Sequence, residues 1–224
     1  MHTCLLFGAT GMIGKEVLNR ALASPKITKV ICITRTKLQQ SHPKLSEVLL
    51  ENFNDLASCA VHFKQATSIY YCIGVYTGQV PKPVFETITI HYTKLVADLT
   101  RQYAANATFC FLSGMGADSS ETSKTLFARC KGIAENYLLK TLPNILIFRP
   151  GYIYPVHPRK APNLFYSLSK KCYPLIKLLG PKYSITSLQL ATVFFELGLL
   201  KKGQLLLENT AIYKSAQQIE ASLV

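Results

Sequence analysis

The sequence predicts an α/β fold, a doubly wound parallel sheet with a small helical C-terminal cap. Three observations carry that expectation. Short apolar runs alternate with longer segments of helical period, a glycine-rich turn joins the first run to the first helical segment, and the rhythm changes after about residue 150. The runs at 3–7, 29–34, 47–50, 68–73, 108–112 and 144–148 are β-branched or aromatic and continuous rather than alternating, as strands covered on both faces are. Between them, 13–22, 55–63, 84–103 and 124–140 have helical period. In 84–103, Ile88, Tyr92, Leu95, Val96 and Leu99 recur at three- and four-residue steps and form an apolar stripe. Strand–helix alternation of this kind predicts parallel strands with helices on both faces. Beyond it, 152–162 is rich in aromatics and interrupted by Pro155, Pro158 and Pro162, and reads as loop. Helices are expected at 163–179 and 187–200, and a short return element at 204–208. No linker-like composition separates this tail, so 1–224 reads as one domain with cap elements within about 152–224.

Composition narrows the class. With 224 residues, 49% hydrophobic and 17% charged, the chain has enough apolar material for a sizeable core and is not a disordered tail. The net charge of +13 favours anionic partners: nucleic acid, an acidic membrane surface or a phosphorylated small molecule. No apolar stretch reaches the ~18 residues of a membrane-spanning helix. The N-terminus lacks the positive region of a signal peptide. The seven cysteines contain no C-x-x-C, and Cys4, Cys32, Cys72 and Cys110 lie inside apolar runs, where small buried thiols sit. A reduced, cytoplasmic setting follows as the expectation. The five histidines have no metal-ligand spacing, and no metal site is expected.

The sharpest local signal is Gly8-Ala9-Thr10-Gly11-Met12-Ile13-Gly14, a G-x-x-G-x-x-G turn between an apolar strand and a helix. Gly8 permits the tight turn, Gly11 lets backbone approach a pyrophosphate, and Gly14 lets the helix pack close to the sheet. The helix N-terminus then offers N–H groups and partial positive charge to phosphates. The end of the second strand discriminates between dinucleotides. An acid there holds the ribose 2′-hydroxyl of NAD, whereas an Arg accommodates the 2′-phosphate of NADP. The residues at this point are Thr34-Arg35-Thr36-Lys37, with no acid beside them, so NADP(H) is the expected cofactor.

These residues resemble the atypical short-chain dehydrogenase/reductase family with its Rossmann fold, in particular its NADPH-binding, Tat-interacting-protein-like branch. The similarity extends through Cys72-Ile73-Gly74, Ser113-Gly114-Met115-Gly116-Ala117-Asp118, Lys131-Gly132-Ile133-Ala134-Glu135, Arg149-Pro150-Gly151 and Leu207-Glu208-Asn209. It implies that Gly8, Thr10, Gly11, Met12, Ile13 and Gly14 cradle the pyrophosphate and that Arg35 meets the 2′-phosphate. Asn52 and Phe53 resemble the family's adenine-contacting Asp-Phe pair. Ile73, Gly74, Ser113, Lys131, Pro150 and Gly151 would line the ribose–nicotinamide end. In the family a Tyr four residues before the helix Lys is the general acid/base, its phenol shifted by the neighbouring cation, and a Ser roughly thirteen residues before the Tyr orients the carbonyl. Here Phe127 stands at the Tyr position, and counting back from it reaches Gly114, beside Ser113. The candidate catalytic residues are therefore Lys131 and Ser113, without the family Tyr. Tyr76, Tyr152 and Tyr154 fall near the same end, where packing is the favoured reading over catalysis; His91 and His157 read as surface or satisfied polar groups.

From 136 to 195 the chain has no Asp or Glu but carries Lys140, Arg149, Arg159, Lys160, Lys170, Lys171, Lys177 and Lys182 among aromatics. This stretch reads as a cationic substrate lid, a site for an acidic partner or peripheral contact with an acidic surface, or equally as a solvated face. Nucleic acid is disfavoured, since no recognised module accompanies the charge. Two functions follow: an NADP(H)-dependent oxidoreductase moving a hydride to a small carbonyl or quinone substrate, or a non-catalytic NADPH-binding sensor or scaffold acting through a protein partner. A third, weaker reading makes it a membrane-peripheral or nucleic-acid-associated protein using the basic cap.

Overall fold

The computed structural model describes residues 2–157, 173, 180–200 and 202–222. Seven parallel strands form one sheet in the order β3-β2-β1-β4-β5-β6-β9. They are β1 His2–Phe7, β2 Ile27–Thr34, β3 Leu45–Leu49, β4 Ser68–Tyr71, β5 Thr108–Leu112, β6 Ile145–Arg149 and β9 Gln204–Glu208. A separate parallel pair joins β7 Tyr152–Tyr154 to β8 Ser184–Thr186. The helices are α1 Met12–Ala23, α2 Ala60–Phe63, α3 Lys82–Glu86, α4 Tyr92–Tyr103, α5 Leu126–Thr141, α6 Ser187–Leu200 and α7 Asn209–Ala221.

The continuous apolar runs are explained by two cores, one on each face of the sheet. Alternate residues Leu6, Val30, Tyr70, Cys110 and Leu146 point toward α1, α6 and α7, where Val17, Leu190, Phe194 and Ile212 meet them. Their neighbours Leu5, Ile31, Tyr71, Phe109, Phe111 and Ile147 point the other way, against Val96 of α4 and Ala134 and Leu138 of α5. A side chain on either face is removed from water, each such Leu, Ile or Phe being worth about 1.5–3 kcal/mol, so both parities of the strand are mainly apolar, and a polar exception such as Ser68 is hydrogen-bonded. Burial pushes the Cys4 and Cys32 thiols up to about 12. Cys72, just past β4, is only partly buried, although its N–H still donates to the Phe7 carbonyl at 3.0 Å.

Several elements differ from the sequence expectation. The 55–63 segment is a 3₁₀ turn, Phe53–Cys59, running into the single turn of α2. The 84–103 helix begins earlier, at α3, and contains one π-helical stretch, Thr87–His91, before α4. Within the expected loop, Tyr152–Tyr154 is extended, because its backbone pairs with Ser184–Thr186 some thirty residues later. The return element at 204–208 is the seventh strand of the sheet and leads into α7, a helix the sequence did not signal strongly. The helix expected at 163–179 lies outside the described residues, Tyr173 excepted. Among the described residues, no helix is long and apolar enough to cross a membrane.

From β1 the chain passes to β2 on one side, while β4 lies on the other. The crossover connections therefore diverge between β1 and β4 and open a crevice above the carboxyl ends of the strands, where ligands of open parallel sheets bind.

Candidate functional site

The glycine turn lies at that crevice. Gly8 follows β1 with φ +80, and a Cβ on it would stand 2.8 Å from the Cys72 carbonyl carbon and oxygen. Gly11 donates its N–H to the Gly8 carbonyl at 2.9 Å, closing the turn. A Cβ on Gly14 would come within 2.0 Å of the same carbonyl oxygen, so α1 starts as close to the strand as backbone allows. Gly11 is the N-cap of α1 in extended conformation; no side chain caps it, and no acid lies in the first turn. The helix thus presents uncapped N–H groups and its positive end to the crevice, the arrangement that holds a diphosphate. Thr10 is exposed at the turn, Met12 half-buried, and Ile13 buried in the core, which leaves Ile13 only its backbone to offer a ligand.

Arg35 and Lys37 are exposed just past β2. One acid does approach this rim through the fold. Glu47 of β3, beside Cys32 of β2, accepts the Leu38 N–H at 2.5 Å and so holds the loop after β2. Past β3, Asn52 is exposed and its Oδ1 accepts the Asn54 N–H at 3.0 Å. Phe53 is buried, stacked on Tyr92 at 4.3 Å and 6.2 Å from Phe7. Phe53 therefore anchors the loop in the core, and Asn52 is the member of the pair that reaches the rim.

At the other end, the tails of β4, β5 and β6 gather around α5. Ile73 is half-buried and Gly74 exposed, with open space where a Cβ would stand. Lys131, 8% exposed, donates from Nζ to the Leu112 carbonyl at 2.8 Å and lies over the Phe111 ring at 4.6 Å. Burial lowers its pKa to about 8, against the opposing pull of Glu135 and Cys72. One helical turn on, Glu135 is fully buried and receives the Ser113 hydroxyl and the Arg149 guanidinium, the latter through both Nε and a terminal nitrogen. Arg149 also reaches Glu208 at 3.0 Å and the Ser119 hydroxyl at 2.9 Å. These bonds to Glu135 lead the forces that raise the Arg149 pKa. Pro150 is buried, its carbonyl taken by the Met115 N–H at 2.8 Å, which zips the β5 and β6 tails together. Gly151 donates to Asn209 Oδ1 at 2.8 Å, and the same Asn209 amide donates to the carbonyls of Pro181 and Ser184.

The glycine turn, Arg35, Asn52, Ile73-Gly74, Ser113, Lys131 and Pro150-Gly151 thus all lie along the carboxyl rim of one sheet. Phe53 is a core residue, which leaves it, like Ile13, only its backbone to offer a ligand. One expectation is corrected. Arg149, counted with the acid-free basic stretch, is not surplus charge, because acids on either side of that stretch, Glu135 and Glu208, neutralise it. Two structural roles had no signal of their own. Glu135 stands four residues after Lys131, on the same side of α5, which marks it as sheet-facing but not as the partner of Ser113 and Arg149. Asn209 ends β9 and bridges to the β6 tail only through the fold.

Phe127, at the start of α5, packs its ring against Gly114: its Cζ is 2.6 Å from the point a Cβ on Gly114 would occupy. Tyr152 and Tyr154, i and i+2 of β7, share one side of the strand. The Tyr173 ring stacks on Tyr154 at 3.8 Å and tilts toward Tyr152 at 6.2 Å. His157 pairs with Glu16 of α1 at 3.5 Å, a surface contact as its exposure requires. Among the described residues, no cluster of three or more His, Cys, Asp or Glu could hold a metal ion.

No family model and no curated protein matches the chain. Solved structures do match it. A putative NAD-dependent epimerase/dehydratase from Bacillus halodurans is 16% identical with a TM-score of 0.66, covering 97% of this chain and 100% of that one. The Bordetella bronchiseptica enzyme WbmH, solved in complex with NAD+, is 14% identical with a TM-score of 0.68, covering 100% and 82%. The oxidoreductase ylbE from Lactococcus lactis is 14% identical with a TM-score of 0.68, covering 98% and 97%. Over nearly its whole length, the chain has the Rossmann-type α/β fold of these dehydratase and oxidoreductase structures.

Proposed function

We propose that the protein is a cytoplasmic NADP(H)-binding oxidoreductase of the atypical short-chain dehydrogenase/reductase type. The observation that carries this reading is the glycine turn at the switch point: a strand end at φ +80, a helix start pressed against it, and uncapped N–H groups facing the crevice. Such a turn suits a diphosphate, and WbmH, of like fold, holds NAD+. In this reading Gly8, Thr10, Gly11, Met12, Ile13 and Gly14 contact the diphosphate, largely by backbone. Arg35, with Lys37 near it, meets the 2′-phosphate, while Glu47 is already engaged by Leu38. Asn52 contacts the adenine, and Ile73, Gly74, Ser113, Lys131, Pro150 and Gly151 line the ribose–nicotinamide end. When bound, the cofactor supplies a hydride for a small-molecule substrate.

A second reading has the same cofactor held by a non-catalytic sensor acting through a protein partner. It is favoured by Phe127, whose ring against Gly114 has no proton to give. The experiment that tests the first reading is thermal unfolding with NADPH and with NADH, for wild type and Arg35→Ala. A ligand that binds only the folded state raises its melting temperature by mass action. NADPH should stabilise wild type more than NADH does, and Arg35→Ala should erase the difference. Lack of stabilisation by either nucleotide would defeat both readings.

A further inference from the structure

We propose, resting on the cofactor reading above, that the tyrosines at the carboxyl ends of β4 and β6 form a subsite for a planar quinone. Two independent features converge on this class. The first is the ring stack. Tyr173 lies nearly parallel to Tyr154 at 3.8 Å with 14° between the planes, and 6.2 Å from Tyr152. Tyr76, from the β4 tail, stands close enough to join Tyr154 and Tyr173 in raising the Tyr152 pKa, though burial is the larger cause. Beside them Met115, Val156 and Tyr183 are exposed large apolar side chains at the same end of the sheet. Exposed apolar groups around converging rings form a surface that a flat ring extends. Of the carboxylates here, Glu135 is buried and engaged by Ser113 and Arg149, and Glu208 gives one oxygen to Arg149.

The second feature is that none of Phe127, Ser113 and Lys131 has a proton aimed at a substrate, while burial raises the pKa of Tyr152 and makes its phenol a weaker acid. Phe127 has none. Ser113 has one hydroxyl proton, which it donates to Glu135, the residue that also receives Arg149. Lys131 is turned to the Leu112 carbonyl and the Phe111 face. Hydride addition to a simple ketone makes an alkoxide, whose conjugate acid is about as weak as water at ~16, and the site must protonate it as it forms. Hydride addition to a quinone makes a hydroquinone monoanion, a phenolate whose conjugate acid is near ~10 and whose charge the ring itself spreads. The balance is one hydride, carrying two electrons, from a dihydronicotinamide dinucleotide, and one proton from water after the ring is reduced.

The test uses tetramethyl-1,4-benzoquinone, which has no open ring position for thiols to attack. Its binding to the full chain saturated with NADP+, where no turnover occurs, is measured by absorbance titration. Cyclohexanone serves as the non-aromatic control, followed by its effect on the melting temperature. Wild type should bind the quinone, and Tyr152→Leu and Tyr154→Leu should each weaken binding tenfold or more. Tyr154→Phe, which keeps the ring, should retain it. All variants should keep the NADPH-induced rise in melting temperature, which reports both folding and an intact cofactor site. NADPH oxidation should follow with the quinone and not with cyclohexanone. A protein that binds NADPH yet ignores the quinone, binds cyclohexanone as well, or is indifferent to the leucine substitutions overturns the subsite. A protein that does not bind NADPH overturns the cofactor reading beneath it.

Discussion

Gly14 has no room for a single added carbon, since its Cβ would stand 2.0 Å from the Gly8 carbonyl oxygen. Gly14→Ala must therefore push α1 off the strand. We expect a loss of about 1–3 kcal/mol, the usual cost of overpacking, together with loss of nucleotide stabilisation; denaturant unfolding with and without NADPH measures both. Arg35 is exposed, so its removal should leave the stability of the unliganded protein within about 0.5 kcal/mol while weakening NADPH binding about tenfold or more, ~1.4 kcal/mol. Lys131 carries the pH dependence. Its pKa in the folded protein is about 8 against an ordinary 10.5. Below about 8 both states are protonated and the burial cost is present in full; between 8 and 10.5 the unfolded chain binds more protons, so stability rises with pH. Lys131→Met should stabilise the unliganded protein at pH 7, and that advantage should shrink across this window by on the order of 2–3 kcal/mol. Unfolding curves from pH 7 to 10.5 decide it, and an advantage that is flat with pH contradicts the assignment.

At the scale of the element, α5 is tied to the sheet by charge as well as by apolar contact. Arg149 of β6 reaches Glu135 of α5 and Glu208 of β9, joining two adjacent strands and a helix. Removing one member of a buried pair strands the other, and typically costs about 3–5 kcal/mol. Arg149→Met should cost that much, and Glu135→Met combined with Arg149→Met should recover most of it, because neither charge is then buried alone. A double variant no more stable than Arg149→Met would show that the pair is not the source of the loss. None of this was legible in the sequence, where Glu135 and Arg149 sit fourteen positions apart and only the β5–α5–β6 crossover brings them together. The strands were legible for a reason equally physical: both faces are buried, so every position from Leu5 to Phe7 or from Phe109 to Phe111 had to be apolar or small. β7 was not, because three residues acquire extended structure only from a partner thirty positions away. α7 has too thin a stripe, Ile212 and Ala216, to stand out.

For the whole molecule, the arrangement of the site was more readable than its chemistry. The glycine turn and the strand–helix rhythm predicted a dinucleotide site at the ends of the strands, and the sheet order opens a crevice above those ends, between β1 and β4. What the substrate end does depends on which hydroxyl, amine and ring face which, and that is set by the tertiary contacts of Ser113, Lys131 and Phe127. The net charge of +13 is also easier to place at this scale: Arg149 is neutralised internally, whereas Arg35 and Lys37 stand exposed at the rim. The most direct test of the account is the melting temperature of the full chain titrated with NADPH and NADH. A saturable rise, larger for NADPH than for NADH, is the predicted result, and a melting temperature that neither nucleotide moves would contradict it.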